Sequence, residues 1–213
     1  MISIDNVHVV GFDHAIRGMR NPLNSWSKSD SEWSKDSVFN IGENDLGLMK
    51  RLANAGSTHA KYRRMITVYL DITAPLYWWK EFDTYKVGTV ANSCSTMHKI
   101  AAKEFELKDF SYDHLLDQSI DILQLLIGVL NMYRAAYLKN KNKENWWQLI
   151  QLLPSSYNQK RTVMLNYEVL FHVYHDRKNH KLDEWNVLCD WIANLPYHEI
   201  ITLDDEKENR NEE

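Results

Sequence analysis

Apolar residues recur along the chain with two different periods, and these periods predict most of the secondary structure. From Arg64 to Thr73, apolar and polar residues alternate, which is typical of a strand with one buried face. Val7 to Gly11 and Arg161 to Glu168 are further strand candidates. Helical spacing predicts seven helices: Phe12 to Met19, Glu43 to Ala55, a helix opened by Ala74-Pro75, Tyr112 to Asn140, Glu144 to Leu153, Val169 to Arg177 and Leu182 to Asn194.

The strongest helical signal lies between Tyr112 and Asn140. Six apolar side chains recur there and are predicted to share one face: Ile122, Leu125, Leu126, Val129, Leu130 and Tyr133. A helix of this length would span a small domain. Because helices dominate the predicted elements and no segment repeats, the sequence predicts an α+β fold.

The charge of the chain is concentrated at its C-terminal end. Residues 204–213 contain six acidic and two basic residues, which accounts for the whole formal net charge of −4. Residues 1–203 are therefore nearly neutral, and this argues against duplex nucleic acid as a partner, because backbone binding needs a basic face. We expect residues 1–203 to form a single α+β domain and residues 204–213 to form an acidic, disordered tail.

Several classes of protein are disfavoured by the composition. The seven glycines form no phosphate-cradling loop, so a Rossmann or P-loop enzyme is not expected. No apolar run approaches the ~20 residues of a membrane span, and nothing resembles a signal peptide. Two cysteines cannot build a disulfide framework. We therefore expect a cytoplasmic protein with no membrane partner.

A histidine-rich segment near the C-terminal end is one candidate for chemistry. His172, His175 and His180, with Asp176, offer imidazole and carboxylate groups of the kind that bind zinc or iron. A polar helix end explains the same residues, and the spacing matches no HExxH-type motif, so no metal site is predicted. Arg177 differs, because a guanidinium at a helix end suits a carboxylate, a phosphate or a uracil carbonyl.

The segment from Ala74 to Lys99, APLYWWKEFDTYKVGTVANSCSTMHK, combines aromatic and charged side chains. Rings beside lysines can line a pocket for a flat, charged ligand, and a core helix followed by a buried loop is the alternative. The side chains concerned are Trp78, Trp79, Lys80, Tyr85 and Lys86. Cys94 and His98 could form a nucleophilic pair, whereas a small buried cysteine is the alternative.

Read as a whole, the chain resembles the flavin-dependent thymidylate synthase family over roughly residues 6 to 192. Members of that family carry A-R-x-S, then HGHETPFEH, then AP-I-F-x-x-R-Q-x-x-R-H-R-x-x-S-x-N-E-x-S-x-R-Y, and later LP…Y…N…R-A-D-x-H-A-Q-W. In the same order this chain gives AIRGMRNPLNSW, ENDLGLMKRLANAGSTHAKYRRM, the segment from Ala74, and LLPSSYNQKRTVMLNYEVLFHVYHDRKNHKLDEW. The resemblance implies a helix-rich domain around a small, mainly antiparallel sheet.

The resemblance also implies roles for individual residues. Arg177 would be the catalytic residue that polarises a uracil ring. The cofactor-binding positions would be His59, Lys80, Tyr85, Lys86 and His180. The substrate-binding positions would be Arg20, Glu81, Cys94, Ser95 and Thr96.

The chain departs from the family motif at positions that hold the flavin and the phosphate of dUMP. Aligned from Ala74-Pro75, Arg-His-Arg becomes Thr84-Tyr85-Lys86, and Ser-x-Arg becomes Cys94-Ser95-Thr96. Threonine in place of a guanidinium removes a charge-assisted bidentate contact. Each lost contact of this kind is worth about 1.5–3 kcal/mol. The family mechanism, with reduced flavin and methylenetetrahydrofolate, therefore cannot be carried over intact.

From these features we expect a divergent relative that binds a nucleotide or a flavin, with FAD as the cofactor. The activity suggested by the resemblance is modification of a pyrimidine nucleotide. The family also implies a homo-oligomer, specifically a tetramer. The alternative is a non-catalytic interaction protein that retains the fold, because fold alone does not fix function.

Overall fold

The computed structural model describes residues 1–203 and shows helices around a small antiparallel sheet, which confirms the predicted α+β fold. The strands are β1 (Ser3–Val10), β2 (Glu32–Trp33), β3 (Phe39–Asn40), β4 (Thr67–Pro75), β5 (Val90–Ser93) and β6 (Asn158–Asn166). The helices are α1 (Phe12–Arg20), α2 (Glu43–Asn54), α3 (Leu76–Phe82), α4 (Thr96–Lys99), α5 (Asp117–Asn140), α6 (Lys143–Leu152), α7 (Tyr167–Arg177), α8 (Asp183–Ile192) and α9 (Glu199–Thr202). The predicted acidic tail lies outside the described residues.

Four of the strands form the main sheet, in the order β1-β4-β6-β5. The alternation predicted for β4 is confirmed, because its even-numbered side chains are buried while Tyr69 is exposed. The buried side chains are Val68, Leu70, Ile72 and Ala74. The short strands β2 and β3 form a separate antiparallel ribbon, in which Trp33 pairs with Phe39.

The chain divides into two compact units whose segments alternate along the sequence. The first unit contains Met1–Asp5, Asp71–Thr84 and Ala91–Val163, and it includes α3 to α6. The second unit contains Asn6–Leu70, Tyr85–Val90 and the chain from Met164 onward, and it includes α1, α2 and α7 to α9.

Aromatic side chains of α3 belong to the core of the first unit. Trp78, Trp79 and Phe82 are almost fully buried, and the Trp78 and Phe82 rings stack with their centroids 5.0 Å apart. The Trp79 indole nitrogen Nε1 donates a hydrogen bond of 2.9 Å to the Gln159 carbonyl oxygen on β6. The core-helix alternative is therefore correct for the two tryptophans.

The long helix α5 forms the other core of the first unit, together with α6 and the segment before α5. Eight buried side chains make up this cluster: Ile100, Ala101, Phe105, Phe110, Leu123, Ile127, Leu130 and Leu149. The predicted face of α5 is partly wrong. Leu126 and Tyr133 pack against the cluster, but Ile122, Leu125 and Val129 are exposed. No helix among the described residues has the length and apolarity needed to cross a membrane.

A buried ion pair lies at the centre of the second unit. Arg63 Nε donates a hydrogen bond of 2.8 Å to Glu168 Oε2, and Arg63 Nη1 donates one of 3.1 Å to the Ile200 carbonyl oxygen. The guanidinium carbon also lies 3.9 Å from the centroid of the Phe171 ring. Arg63 thus connects α7 and α9, and it compensates a carboxylate that is almost fully buried.

We expect Arg63→Met to lower the free energy of unfolding by about 3–5 kcal/mol, because the Glu168 carboxylate would then be buried without its main partner. Arg64→Met is the matched control. The Arg64 side chain is 60% exposed and 3.9 Å from Glu168, so its loss should cost less than about 1 kcal/mol. Urea unfolding followed by circular dichroism measures both variants. Equal losses of stability would contradict this account of the ion pair.

Candidate functional site

The structure places the eleven predicted site residues in different parts of the two units. Lys80, Glu81, Cys94, Ser95 and Thr96 belong to the first unit, whereas Arg20, His59, Tyr85, Lys86, Arg177 and His180 belong to the second. Three of the predicted residues in the first unit line one pocket. Three of those in the second unit form a hydrogen-bonded cluster. The remaining residues belong to neither group.

Cys94, Ser95 and Thr96 line a cavity of about 270 Å³ in the first unit. They follow the end of β5, where the Cys94 backbone N–H donates a hydrogen bond of 2.8 Å to the Lys160 carbonyl oxygen on β6. The Ser95 hydroxyl caps α4 by accepting a hydrogen bond of 3.2 Å from the His98 backbone N–H. Cys94 is exposed, so the expectation of a small buried cysteine is wrong.

Lysines give this cavity its electrostatic character, and we call it the lysine pocket. Its charged lining consists of Lys99, Lys103, Lys108, Lys160 and a single acid, Asp109. Lys103 pairs with Asp109, Lys108 with Glu106, and Lys160 with Asp71. Among the residues that the structure describes, no carboxylate lies within ion-pair distance of Lys99, so the positive charge of the pocket is incompletely neutralised.

Polar groups in the lining complete the lysine pocket. The Asn158 side-chain oxygen Oδ1 is buried and has no hydrogen-bond partner within residues 1–203. Burial, with Asp109 nearby, raises the pKa of the Tyr157 phenol, so this hydroxyl stays protonated at neutral pH and can donate a hydrogen bond. The lining therefore offers ammonium and hydroxyl donors together with a buried acceptor. This combination suits an anionic, polar ligand.

Lys80 and Glu81 do not line the lysine pocket. Both lie on α3, whose buried face carries the two tryptophans. The Lys80 side chain is exposed, and the Glu81 carbonyl oxygen accepts a hydrogen bond of 2.7 Å from the Thr84 hydroxyl. These two positions remain predictions from the resemblance.

In the second unit, Arg177, Tyr85 and His180 form one cluster. Arg177, the last residue of α7, donates a hydrogen bond of 3.0 Å from Nε to the Tyr85 hydroxyl oxygen. Its Nη1 lies 3.3 Å from His180 Nε2, and its guanidinium carbon lies 4.6 Å from the centroid of the Trp185 ring. The Tyr85 hydroxyl in turn donates a hydrogen bond of 3.3 Å to Asp176 Oδ2. The guanidinium is thus held in place by a phenol and an indole ring.

The electrostatics of this cluster keep Tyr85 as a neutral phenol. Burial raises the pKa of Tyr85, and the nearby Arg177 guanidinium only partly opposes this effect. Lys86, the next residue along the chain, is exposed. Arg177 is therefore the only predicted cation of the second unit that is half-buried beside aromatic rings.

The main contacts of Arg20 are structural and lie within the second unit. Its Nε donates a hydrogen bond of 2.6 Å to Asp45 Oδ1, and Asp45 Oδ2 accepts hydrogen bonds from the Ser29 and Ser31 hydroxyls. Burial would raise the pKa of Asp45, but these hydrogen bonds outweigh it and lower the pKa below its usual value. Arg20 also lines a cavity of about 180 Å³, and its Nη2 has no hydrogen-bond partner within residues 1–203.

His59 lies at the surface beside a larger, mostly apolar cavity of about 780 Å³. This cavity lies between α1, α2 and the 3₁₀ turn Ala60–Met65. Its apolar lining includes Met19, Leu48, Leu52 and Met65. The structure does not bring His59 to the Arg177 cluster of its own unit, and its role stays a prediction.

The three histidines considered for a metal have other contacts. His175 Nε2 lies 3.1 Å from the Ile201 carbonyl oxygen, and His172 Nε2 lies 3.7 Å from Glu168 Oε1. His180 belongs to the Arg177 cluster. Within residues 1–203, no group of three histidine, cysteine or carboxylate side chains converges as a metal site would require.

The lysines of the lysine pocket were not identified from the sequence. Lys99, Lys103 and Lys108 recur at intervals of four and five residues, a signal that could have suggested a basic segment. Lys160 comes from β6, and only the pairing of β5 with β6 brings it to the same pocket. Sequence spacing alone could not reveal that juxtaposition.

No family model matches the chain, and no curated protein matches it either. Solved structures do match. Flavin-dependent thymidylate synthase ThyX from Helicobacter pylori, complexed with FAD and dUMP, is 16% identical with a TM-score of 0.68, over 95% of this chain and 98% of that one. The UMP/dUMP methylase PolB from Streptomyces cacaoi, bound with 5-Br UMP, is 15% identical with a TM-score of 0.64, over 95% of each chain.

These matches cover nearly the whole of each chain, although the sequence identity is low. They agree with the resemblance to the flavin-dependent thymidylate synthase family that the sequence suggested. The chain has the fold of the flavin-dependent thymidylate synthases.

Proposed function

We propose that this protein binds the phosphate of a pyrimidine nucleotide in the lysine pocket and is a divergent relative of the flavin-dependent thymidylate synthases. The observation that carries the proposal is Lys99, a cation without an acidic partner among residues 1–203, in one cavity with the Ser95 and Thr96 hydroxyls. Solved structures of the same fold are complexed with dUMP or with 5-Br UMP, which supports a nucleotide of this class.

The chemistry of the lysine pocket fits a phosphate dianion. Lysine ammonium groups bind phosphate as point charges, without the fixed geometry of an arginine fork. Lys99, the pocket lysine without a carboxylate partner among residues 1–203, therefore supplies positive charge in place of the guanidinium that the family motif has at the position of Thr96. The cavity of about 270 Å³ is slightly smaller than the range of roughly 300–1,000 Å³ typical of small-molecule sites. It suits a nucleoside monophosphate better than a dinucleotide.

Arg177 is the residue that we propose for a base-modifying step. A guanidinium fixed by the Tyr85 hydroxyl and packed on the Trp185 ring is a preorganised hydrogen-bond donor. A uracil carbonyl that gains negative charge during reaction would be stabilised by such a group. Asp176, through Tyr85, acts as a positioning residue for this arginine.

FAD fits the residues at the expected flavin positions poorly. The Thr84 hydroxyl is bonded to the Glu81 carbonyl oxygen, and the Tyr85 hydroxyl is engaged by Arg177 and Asp176. Lys80 and Lys86 are exposed lysines at these positions, without the forked geometry of an arginine. No reaction step is therefore assigned to a flavin.

We expect protein incubated with FAD and then desalted to show no visible flavin absorbance, because the hydroxyls at the expected flavin positions already have hydrogen-bond partners. A retained absorbance band near one flavin per chain would contradict this.

We expect Lys99→Gln to weaken dUMP binding by roughly 10- to 150-fold, because it removes a charge-assisted contact worth about 1.5–3 kcal/mol. Lys35→Gln, in the exposed loop between β2 and β3, makes the same change outside the pocket and should bind dUMP as the unaltered protein does. Isothermal titration calorimetry measures each affinity. Deoxyuridine, which lacks the phosphate, should bind much more weakly than dUMP to the unaltered protein.

Two outcomes would contradict different parts of the proposal, namely the binding of a nucleotide and the location of its site. If the unaltered protein shows no binding of dUMP or UMP, the nucleotide function is wrong, and a non-catalytic interaction protein becomes the better account. If dUMP binds equally well to the unaltered protein and to Lys99→Gln, the nucleotide function stands and the lysine pocket is the wrong site.

A further inference from the structure

Helix α5 carries a second apolar face that residues 1–203 leave uncovered. Ile122, Leu125, Val129 and Met132 are 67%, 73%, 37% and 57% exposed, respectively, and we call them the α5 stripe. The opposite face of the helix, with Leu123, Ile127 and Leu130, is buried in the core. Large apolar side chains that are contiguous and exposed commonly mark an interaction surface.

The spacing of the α5 stripe is that of a helix-pairing seam. The four residues follow each other at intervals of three, four and three positions, which is the a/d pattern of a coiled coil. Ala136, four residues after Met132, continues the same face with a small side chain. A helix with this pattern can bury the stripe against a matching helix, and the chain itself supplies such a helix in every copy.

Gly128 gives an independent reason to expect a close partner. It lies in the middle of α5, where glycine is less favourable than alanine by about 1 kcal/mol. Gly128 is exposed, and a Cβ atom added there would meet nothing within 4 Å among residues 1–203. Packing within the described chain therefore does not explain the glycine. The approach of another backbone at this point would explain it.

The charges along α5 select an antiparallel arrangement. Asp117 and Asp121 lie in the first turns of the helix, and Lys139 lies in its last turn, all at the surface. In an antiparallel pair centred near Gly128, Asp117 of each copy approaches Lys139 of the other. A parallel pair would bring the aspartates together and the lysines together, which costs free energy.

We propose that the α5 stripe binds the α5 stripe of a second copy of this chain, in an antiparallel helix pair with Gly128 near the two-fold axis. A two-fold contact of this kind uses the same surface patch on both copies. This contact is independent of nucleotide binding. It would be one of the surfaces that hold together the homo-oligomer expected from the resemblance.

The test uses the full chain and measures its mass by size-exclusion chromatography with multi-angle light scattering, over a wide range of protein concentration. We expect the unaltered protein to be at least dimeric. Val129→Glu and Leu125→Glu should each raise the dissociation constant of the contact by about tenfold or more, since each places two carboxylates beside the axis. Val38→Glu, at an exposed valine far along the chain from α5, is the matched control and should leave the mass unchanged.

The orientation is tested by exchanging charges. Asp117→Lys and Lys139→Asp should each weaken the contact, and the double variant should restore it. A monomeric unaltered protein, or a mass unaffected by both glutamate variants, would overturn the proposal. Failure of the double variant to recover the contact would overturn the antiparallel arrangement. Circular dichroism of each variant confirms folding, and dUMP titration of the same samples shows separately whether the nucleotide proposal holds.

Discussion

Gln159 on β6 is the residue through which the core of the first unit determines the lysine pocket. Its carbonyl oxygen accepts the hydrogen bond of the buried Trp79 indole, and its side-chain Nε2 donates a hydrogen bond of 3.1 Å to the Cys94 carbonyl oxygen. Its Oε1 accepts a hydrogen bond of 3.0 Å from Arg161 Nε, while the Arg161 guanidinium carbon lies 4.1 Å from the centroid of the Trp79 ring. A buried aromatic core thus fixes the turn that carries Ser95 and Thr96.

This arrangement explains how the fold can be kept while its ligand contacts change. The backbone at the start of α4 is held by β6, whatever side chains face the cavity. Lysines from α4, from the segment before α5 and from β6 can then supply the positive charge that the family motif obtains from arginines. In the second unit, Arg177, which the resemblance aligns with the late arginine of the family motif, is held by Tyr85 and Trp185.

Much of the fold could be predicted because a clear period of apolar residues identifies the longer helices and strands. The alternation in β4 and the helical spacing of α2 and α6 were sufficient to find those elements within a few residues. The short elements β5, α4 and α9 were missed, since four residues carry too little periodicity to be recognised. The face of α5 was partly misassigned because that helix is apolar on two sides, and a 3.6-residue period does not show which side the core takes.

The candidate site was predictable only in part. The contact of Arg177 with Tyr85 joins residues 92 positions apart, and only a resemblance to a known fold could suggest it. Cys94, Ser95 and Thr96 were proposed for the same reason. The lysines around them were missed because the pairing of β5 with β6 brings Lys160 to the pocket, and strand order is not encoded in local spacing. Asn158 gives no signal in the sequence, since only burial without a partner distinguishes it.

We propose that the lysine pocket holds the phosphate of a pyrimidine nucleotide. A crystal structure of the full chain grown with dUMP is the decisive measurement. We expect phosphate density in the lysine pocket, within hydrogen-bond distance of Lys99 Nζ and of the Ser95 or Thr96 hydroxyl. Density for dUMP elsewhere on the protein, with only solvent in the lysine pocket, would contradict it.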